Sequence, residues 1–121
     1  MIKRDTLLII LVLFLISSCA PPTALYTWGS KKKYNYHNAS YNYLKVNDEK
    51  SIDILKSSYI DIINKQKGTR KTVPPGIYAD YGFLLFSLNE NEKGVEMLKQ
   101  EMILYPESTI FITRILNMLN K

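Results

Sequence analysis

The chain of 121 residues has a single cysteine, a single histidine and a single tryptophan. One cysteine cannot close a disulfide within the chain, so the fold must stand on packing alone. One histidine and no second cysteine leave little from which to build a metal cluster or a nucleophile–base pair, and apart from the adjacent Asp48 and Glu49 the carboxylates fall singly along the sequence. Nowhere does strict apolar–polar alternation run long enough to argue for a sheet. Nor is there an apolar run of the roughly 20 residues that span a bilayer; the longest, from Leu7 to Ile16, is shorter.

That run lies in "MIKRDTLLIILVLFLISSC", where Lys3 and Arg4 precede the apolar stretch and Ser17 and Ser18 come after it. Basic, apolar and small-residue regions in that order read as a secretory signal peptide over residues 1–18. "ISSC" resembles the lipobox of bacterial lipoproteins. The resemblance implies cleavage between Ser18 and Cys19, a diacylglycerol on the Cys19 thiol, and an acyl group on the new amine. Several chains together anchor stably where one would not. Ala20, standing where an Asp would resemble an inner-membrane retention signal, implies sorting to the outer membrane, with either face open. No other cofactor is expected.

Beyond the signal lie about 100 residues, enough for one small domain. Lys and Arg outnumber Asp and Glu by 16 to 11, and a mild basic excess remains after the signal is removed. Residues 19–46 form a lipid-anchor and aromatic, basic segment holding Tyr26, Trp28, Tyr34, Tyr36, Tyr41 and Tyr43. It reads as mostly irregular, with a short helix around Ser40 to Lys45. His37 reads as a solvated loop residue. "KKKYNY" has the composition of a nucleic-acid contact, but the export signal argues against one and favours anionic headgroups or a solvated turn.

Residues 47–121 read as a helical domain. Ile52, Leu55, Tyr59, Ile62 and Ile63 stand three and four apart, predicting an amphipathic helix with Asn47 as its N-cap. A second helix comes after "TRKTVPP", with Pro75 in its first turn and Ile77, Tyr78, Tyr81, Leu84, Leu85 and Leu88 on one face. "NEN" marks a turn. Val95, Leu98, Met102 and Tyr105 predict a third helix ending at Pro106, and Ser108 caps a fourth with Phe111, Ile112, Ile115, Leu116 and Leu119 inward.

Residues 75–108 match the tetratricopeptide spacing, with Tyr78, Tyr81, Gly82, Leu85, Gly94, Leu98 and Pro106 at its successive positions. Gly82 and Gly94 would let two antiparallel helices approach closely, and Glu101 stands where a small residue is usual. A polar pair of Asp80 and Glu101 is expected across this hairpin. A single unit cannot cover its own apolar face. The prediction is therefore all-α: a short tetratricopeptide-like hairpin stack of about four helices behind an irregular aromatic segment.

"YTWG" (Tyr26 to Gly29), "YNYLK" (Tyr41 to Lys45), "VPPGIYADYGFLL" (Val73 to Leu85) and "YPES" (Tyr105 to Ser108), in that order behind a lipobox, resemble a family of small uncharacterised bacterial lipoproteins. The resemblance implies an encoded neighbour of the curli-transport lipoprotein type, a role in an envelope assembly or secretion complex, and no catalytic residues. The expectation is a non-enzymatic interaction module. Its partners are the membrane and an envelope protein, with the curli-transport-type lipoprotein one candidate and nucleic acid not among them. Its docking residues are Trp28, Tyr34 and Tyr36. The alternative is a small ligand-binding or hydrolytic lipoprotein with a pocket at Tyr78, Tyr81 and Glu101.

Overall fold

The computed structural model describes residues 3, 4, 6, 23–29, 35–66 and 68–119. Residues 7–18 of the expected signal peptide, Cys19, the lysine run 31–33 and Tyr34 lie outside them. The described chain is all-helical: α1 (Tyr36–Val46), α2 (Glu49–Asn64), α3 (Ile77–Ser87), α4 (Asn91–Leu104), a 3-10 turn (Pro106–Ser108) and α5 (Thr109–Leu119). Among the described residues there is no strand, and no helix is long and apolar enough to cross a membrane.

α1 is longer than the short helix expected from the sequence. Its buried stripe is sparse, Ala39 with Tyr36 and Tyr43 on either side, all packed against the core of α2. Of the remaining positions, His37, Asn38, Tyr41 and Asn42 are exposed and mask the period. Asn35 caps the helix, its side-chain oxygen accepting from the His37 N–H at 3.0 Å. His37 therefore belongs to the first turn of a helix and not to a loop.

Two residues separate α1 from α2, and each serves a different helix. Asn47 adopts a left-handed conformation (φ 50°) that closes α1, its N–H donating to the Tyr43 carbonyl at 3.0 Å. Asp48, rather than Asn47, caps α2: its carboxylate accepts from the Ser51 N–H at 2.8 Å while Ser51 Oγ accepts from the Asp48 N–H at 3.0 Å. This reciprocal box satisfies two backbone donors at once. It also buries Ser51, in line with Leu55, Tyr59 and Ile62.

α3 starts after Pro75, which stands one residue ahead of the N-cap rather than in the first turn. The cap is Gly76 at φ 89°, a conformation that glycine adopts without a Cβ penalty. The α3–α4 hairpin is the tightest pairing in the fold. A Cβ on Gly82 would stand 3.0 Å from the Gly94 carbonyl oxygen, and one on Gly94 would stand 3.0 Å from that of Gly82. Leu98, fully buried, lies over this crossing. The expected glycine contact is thus present.

Two apolar clusters result. Ala39, Leu55, Tyr59, Ile62, Val73, Ile77 and Leu84 join α1, α2 and α3. Ala79, Leu98, Ile112 and Ile115 join α3, α4 and α5. At about 1.5–3 kcal/mol for each large apolar side chain removed from water, these clusters are the main source of stability.

Two expectations for α5 fail. Ser108 does not cap it; its hydroxyl donates to the Tyr105 carbonyl at 2.7 Å from within the 3-10 turn. Phe111 and Leu119 point outward, 60% and 47% exposed, and only Ile112 and Ile115 are buried. Among the described residues α5 packs on the α3–α4 hairpin and the turn before it, so its stripe is covered in part.

Candidate interaction site

Segment Thr23–Gly29 straps the chain's aromatic N-terminal region onto the loop between α2 and α3. The Thr69 N–H donates to the Ala24 carbonyl at 3.0 Å and the Arg70 N–H to that of Leu25 at 3.1 Å. The Thr69 hydroxyl adds a third bond to Ala24 at 3.2 Å. Such close backbone approach needs glycine at position 68, because a Cβ there would stand 2.4 Å from the Leu25 oxygen. The Arg70 guanidinium lies over the Tyr26 ring, 5.8 Å from its centroid, and donates to the Tyr26 hydroxyl at 3.1 Å.

Beyond Tyr26 the strap delivers Trp28 to the start of α1. Its ring stacks on Tyr36 with centroids 5.8 Å apart and planes at 28°. Tyr36 meets Tyr59 of α2 at 5.5 Å, and Tyr59 stacks on Tyr81 of α3 at 5.3 Å. Four aromatic rings thus run from an exposed edge into the core, each pair at a separation favourable for ring–ring attraction. The Tyr36 hydroxyl donates to Asp80 at 3.2 Å. Loss of hydration pushes the Asp80 carboxyl above its ordinary range, the Tyr36 bond working the other way. Burial also raises the hydroxyls of Tyr36 and Tyr59, which hold their protons.

Of the expected docking residues, the structure brings Trp28 and Tyr36 together, while Tyr34 lies outside the described residues. Trp28 is 41% exposed and carries the free edge of the row. Tyr36 is half-buried and joins the core to the surface. His37, 5.9 Å from Trp28, helps to line a hollow of about 340 Å³ with Tyr26, Thr27, Trp28 and Asn35. Sequence reasoning misses the parts played by Tyr59, Tyr81, Gly68 and Arg70. Tyr59 and Tyr81 read as ordinary helix-face residues, and nothing local marks a glycine as the seat of a segment from elsewhere in the chain.

The polar pair of Asp80 and Glu101 is absent; each carboxylate has a different partner. Glu101, 3% exposed, accepts the Gly76 N–H at 2.7 Å through Oε1, anchoring the turn before α3. Tyr105 donates to the Val73 carbonyl on the same loop, and burial beside Tyr26 pushes its hydroxyl up to about 12. Tyr78 and Tyr81 line a shallow groove of about 440 Å³ with Ile60, Glu96, Met97 and Gln100. Glu101 is not among its walls. Among the described residues no three His, Cys, Asp or Glu side chains converge to hold a metal ion.

A second surface lies at the far end of the stack. On α5, Phe111 and Met118 stand seven apart on one face and are 60% and 67% exposed, with Ile110 beside them at 70%. Arg114 is the helix's single charged residue.

No curated protein and no solved structure matches the chain. The model of one family, a domain of unknown function (DUF4810), matches residues 25–115, from the strap to the buried core of α5, and the chain belongs to that family.

Proposed function

We propose that this protein is a lipoprotein of the bacterial outer membrane, held by a diacylglycerol and an N-acyl chain on Cys19. It acts without catalysis as an interaction module in an envelope assembly or secretion complex, a curli-transport-type lipoprotein being one candidate partner. One observation carries the reading. The outer face of α5 is apolar, with Ile110, Phe111 and Met118 between 60% and 70% exposed, and no described residue covers it. Trp28, at the free edge of the aromatic row, offers a second contact of the kind that dominates binding energy.

The test is crosslinking in living cells and affinity capture from detergent-solubilised envelope, comparing the natural chain with Cys19→Ala, Phe111→Glu and the double change Trp28→Ala, Tyr34→Ala. Recovery of one stoichiometric envelope protein is expected, lost on removing the anchor and reduced by the surface changes. An identical set of partners from all four chains would refute the docking surfaces. The groove at Tyr78 and Tyr81 supports a second reading, a small-ligand site. A thermal-shift screen with peptidoglycan fragments, envelope metabolites and metal ions tests it, since any binder of the folded state raises Tm.

A further inference from the structure

We infer that the end of the domain formed by the strap and the α2–α3 loop is a docking surface for anionic phospholipid headgroups, so that the domain stands on the membrane in one orientation. The inference rests on the reading of Cys19 as the lipidated residue.

Chain length supplies the first argument. The strap is bonded to the domain from Ala24 onward, five residues after Cys19. At no more than about 3.3–3.6 Å per residue, the connection spans at most about 18 Å. A lipid on Cys19 therefore keeps this end within that distance of the headgroups. A tether this short limits how far the strap end can leave the surface, and charge decides whether that end is pressed onto it.

Charge supplies the second. Residues 65–71 contain Lys65, Lys67, Arg70 and Lys71 and no acidic residue. Lys65, Arg70 and Lys71 are exposed. Lys65 pairs with Asp61 at 2.6 Å, while the described contacts of the Arg70 guanidinium are with the neutral Tyr26 hydroxyl and ring. Glu107, two residues past the Tyr105 that bonds this loop, is an exposed carboxylate near the same end. The opposite end of α2 has the other sign, with Asp48, Glu49 and Asp53 exposed around Lys50. Sixteen residues of helix, at 1.5 Å each, separate the two ends by about 24 Å, some three Debye lengths at physiological salt. An anionic leaflet thus attracts the tethered end and is not repelled by the distant one.

The experiment uses the lipidated chain on vesicles of phosphatidylcholine, with or without phosphatidylglycerol, each with a trace of dansyl-labelled headgroup. Energy transfer from Trp28, the chain's single tryptophan and a strap residue, reports how near this end sits. Transfer is expected to be at least twofold greater on the anionic vesicles. Lys71→Asp, which suits the left-handed backbone at this position (φ 51°), should remove more than half of the difference. So should salt of about 1 M applied to the unaltered chain, where screening acts within about 3 Å. Equal transfer on both vesicles, from a chain that floats with both, overturns the docking surface and leaves the anchor intact. A chain that floats with neither overturns the anchor and the inference with it.

Discussion

Replacing Gly68 with alanine should detach the strap while leaving the helices in place. The added Cβ would stand 2.4 Å from the Leu25 oxygen, 2.6 Å from the Tyr26 Cα and 2.7 Å from the Leu25 carbonyl carbon. All three are backbone atoms of the strap, so no rotamer change relieves the clash and the strap itself must move. Moving it breaks the two backbone bonds from Thr69 and Arg70 and the bond from the Thr69 hydroxyl. At a net of about 1 kcal/mol for each of the three, the local loss is about 3 kcal/mol. Since 1.4 kcal/mol is a factor of ten, the amides of Thr69 and Arg70 should exchange with solvent deuterium roughly 100-fold faster. Amides deep in the α3–α4 hairpin, such as that of Leu98, should exchange as before.

A second glycine supplies the control. Gly76 has no atom within 4 Å of where a Cβ would be, but its φ of 89° disfavours any other residue. Gly76→Ala should cost about 1–2 kcal/mol through backbone strain and lower Tm, yet keep Thr69 and Arg70 protected. Unchanged exchange at those two amides in Gly68→Ala would refute the strap as described.

The packing leads to three further outcomes. Ile112→Ala should lower the free energy of unfolding by about 2–5 kcal/mol, whereas Phe111→Ala, at the adjacent but outward position, should change it by no more than about 0.5 kcal/mol in the isolated protein; urea titration separates them. Glu101→Ala leaves the Gly76 N–H without its acceptor and should cost about 1–3 kcal/mol in the same titration, Glu101→Gln less because it keeps an oxygen in place. Glu90 bonds Lys56 at 2.6 Å and Lys93 at 2.7 Å, and these bonds hold its carboxyl down at about 2, against an ordinary 4.5. Its contribution is full above the ordinary value, because both states are then ionised. As pH falls from 4.5 toward 2 the unfolded chain takes up a proton that the folded chain does not, and stability declines. In Glu90→Gln the urea midpoint should decline less over that interval.

The helices from α2 onward are legible in the sequence because each has a full apolar face at three- and four-residue spacing. Gly82 and Gly94 are legible for a related reason: their separation belongs to a hairpin pattern whose geometry is local. α1 is mostly hidden. Its inward set is one alanine between two tyrosines, and its solvent face of asparagine, histidine and tyrosine reads like a loop. Asn47 points to the wrong helix because asparagine serves equally as an N-cap and as a left-handed terminator. Which it does depends on Asp48 and Ser51 forming the better box. Phe111 and Leu119 satisfy the period of α5, but period says nothing of how many neighbours a helix has. The strap cannot be read at all, since its bonds join residues 45 apart through backbone groups that carry no side-chain signature.

The strap and the aromatic row constrain one another. Held at Ala24 and Leu25, the segment has only to pass Tyr26 and Thr27 before Trp28 must lie on Tyr36, whose ring is in turn positioned by Tyr59 and whose hydroxyl is bonded to Asp80. A displacement of the strap would therefore uncover Tyr36, and a displacement of α3 would withdraw Asp80 from it. Trp28 thus reports on both. In Gly68→Ala its fluorescence should shift toward that of solvated tryptophan, and in Tyr36→Phe, where the stacking surface remains and only the hydroxyl is lost, it should not. A shift in Tyr36→Phe equal to that in Gly68→Ala would mean that the Asp80 bond, rather than the backbone bonds at residues 68–70, holds the N-terminal segment against the domain.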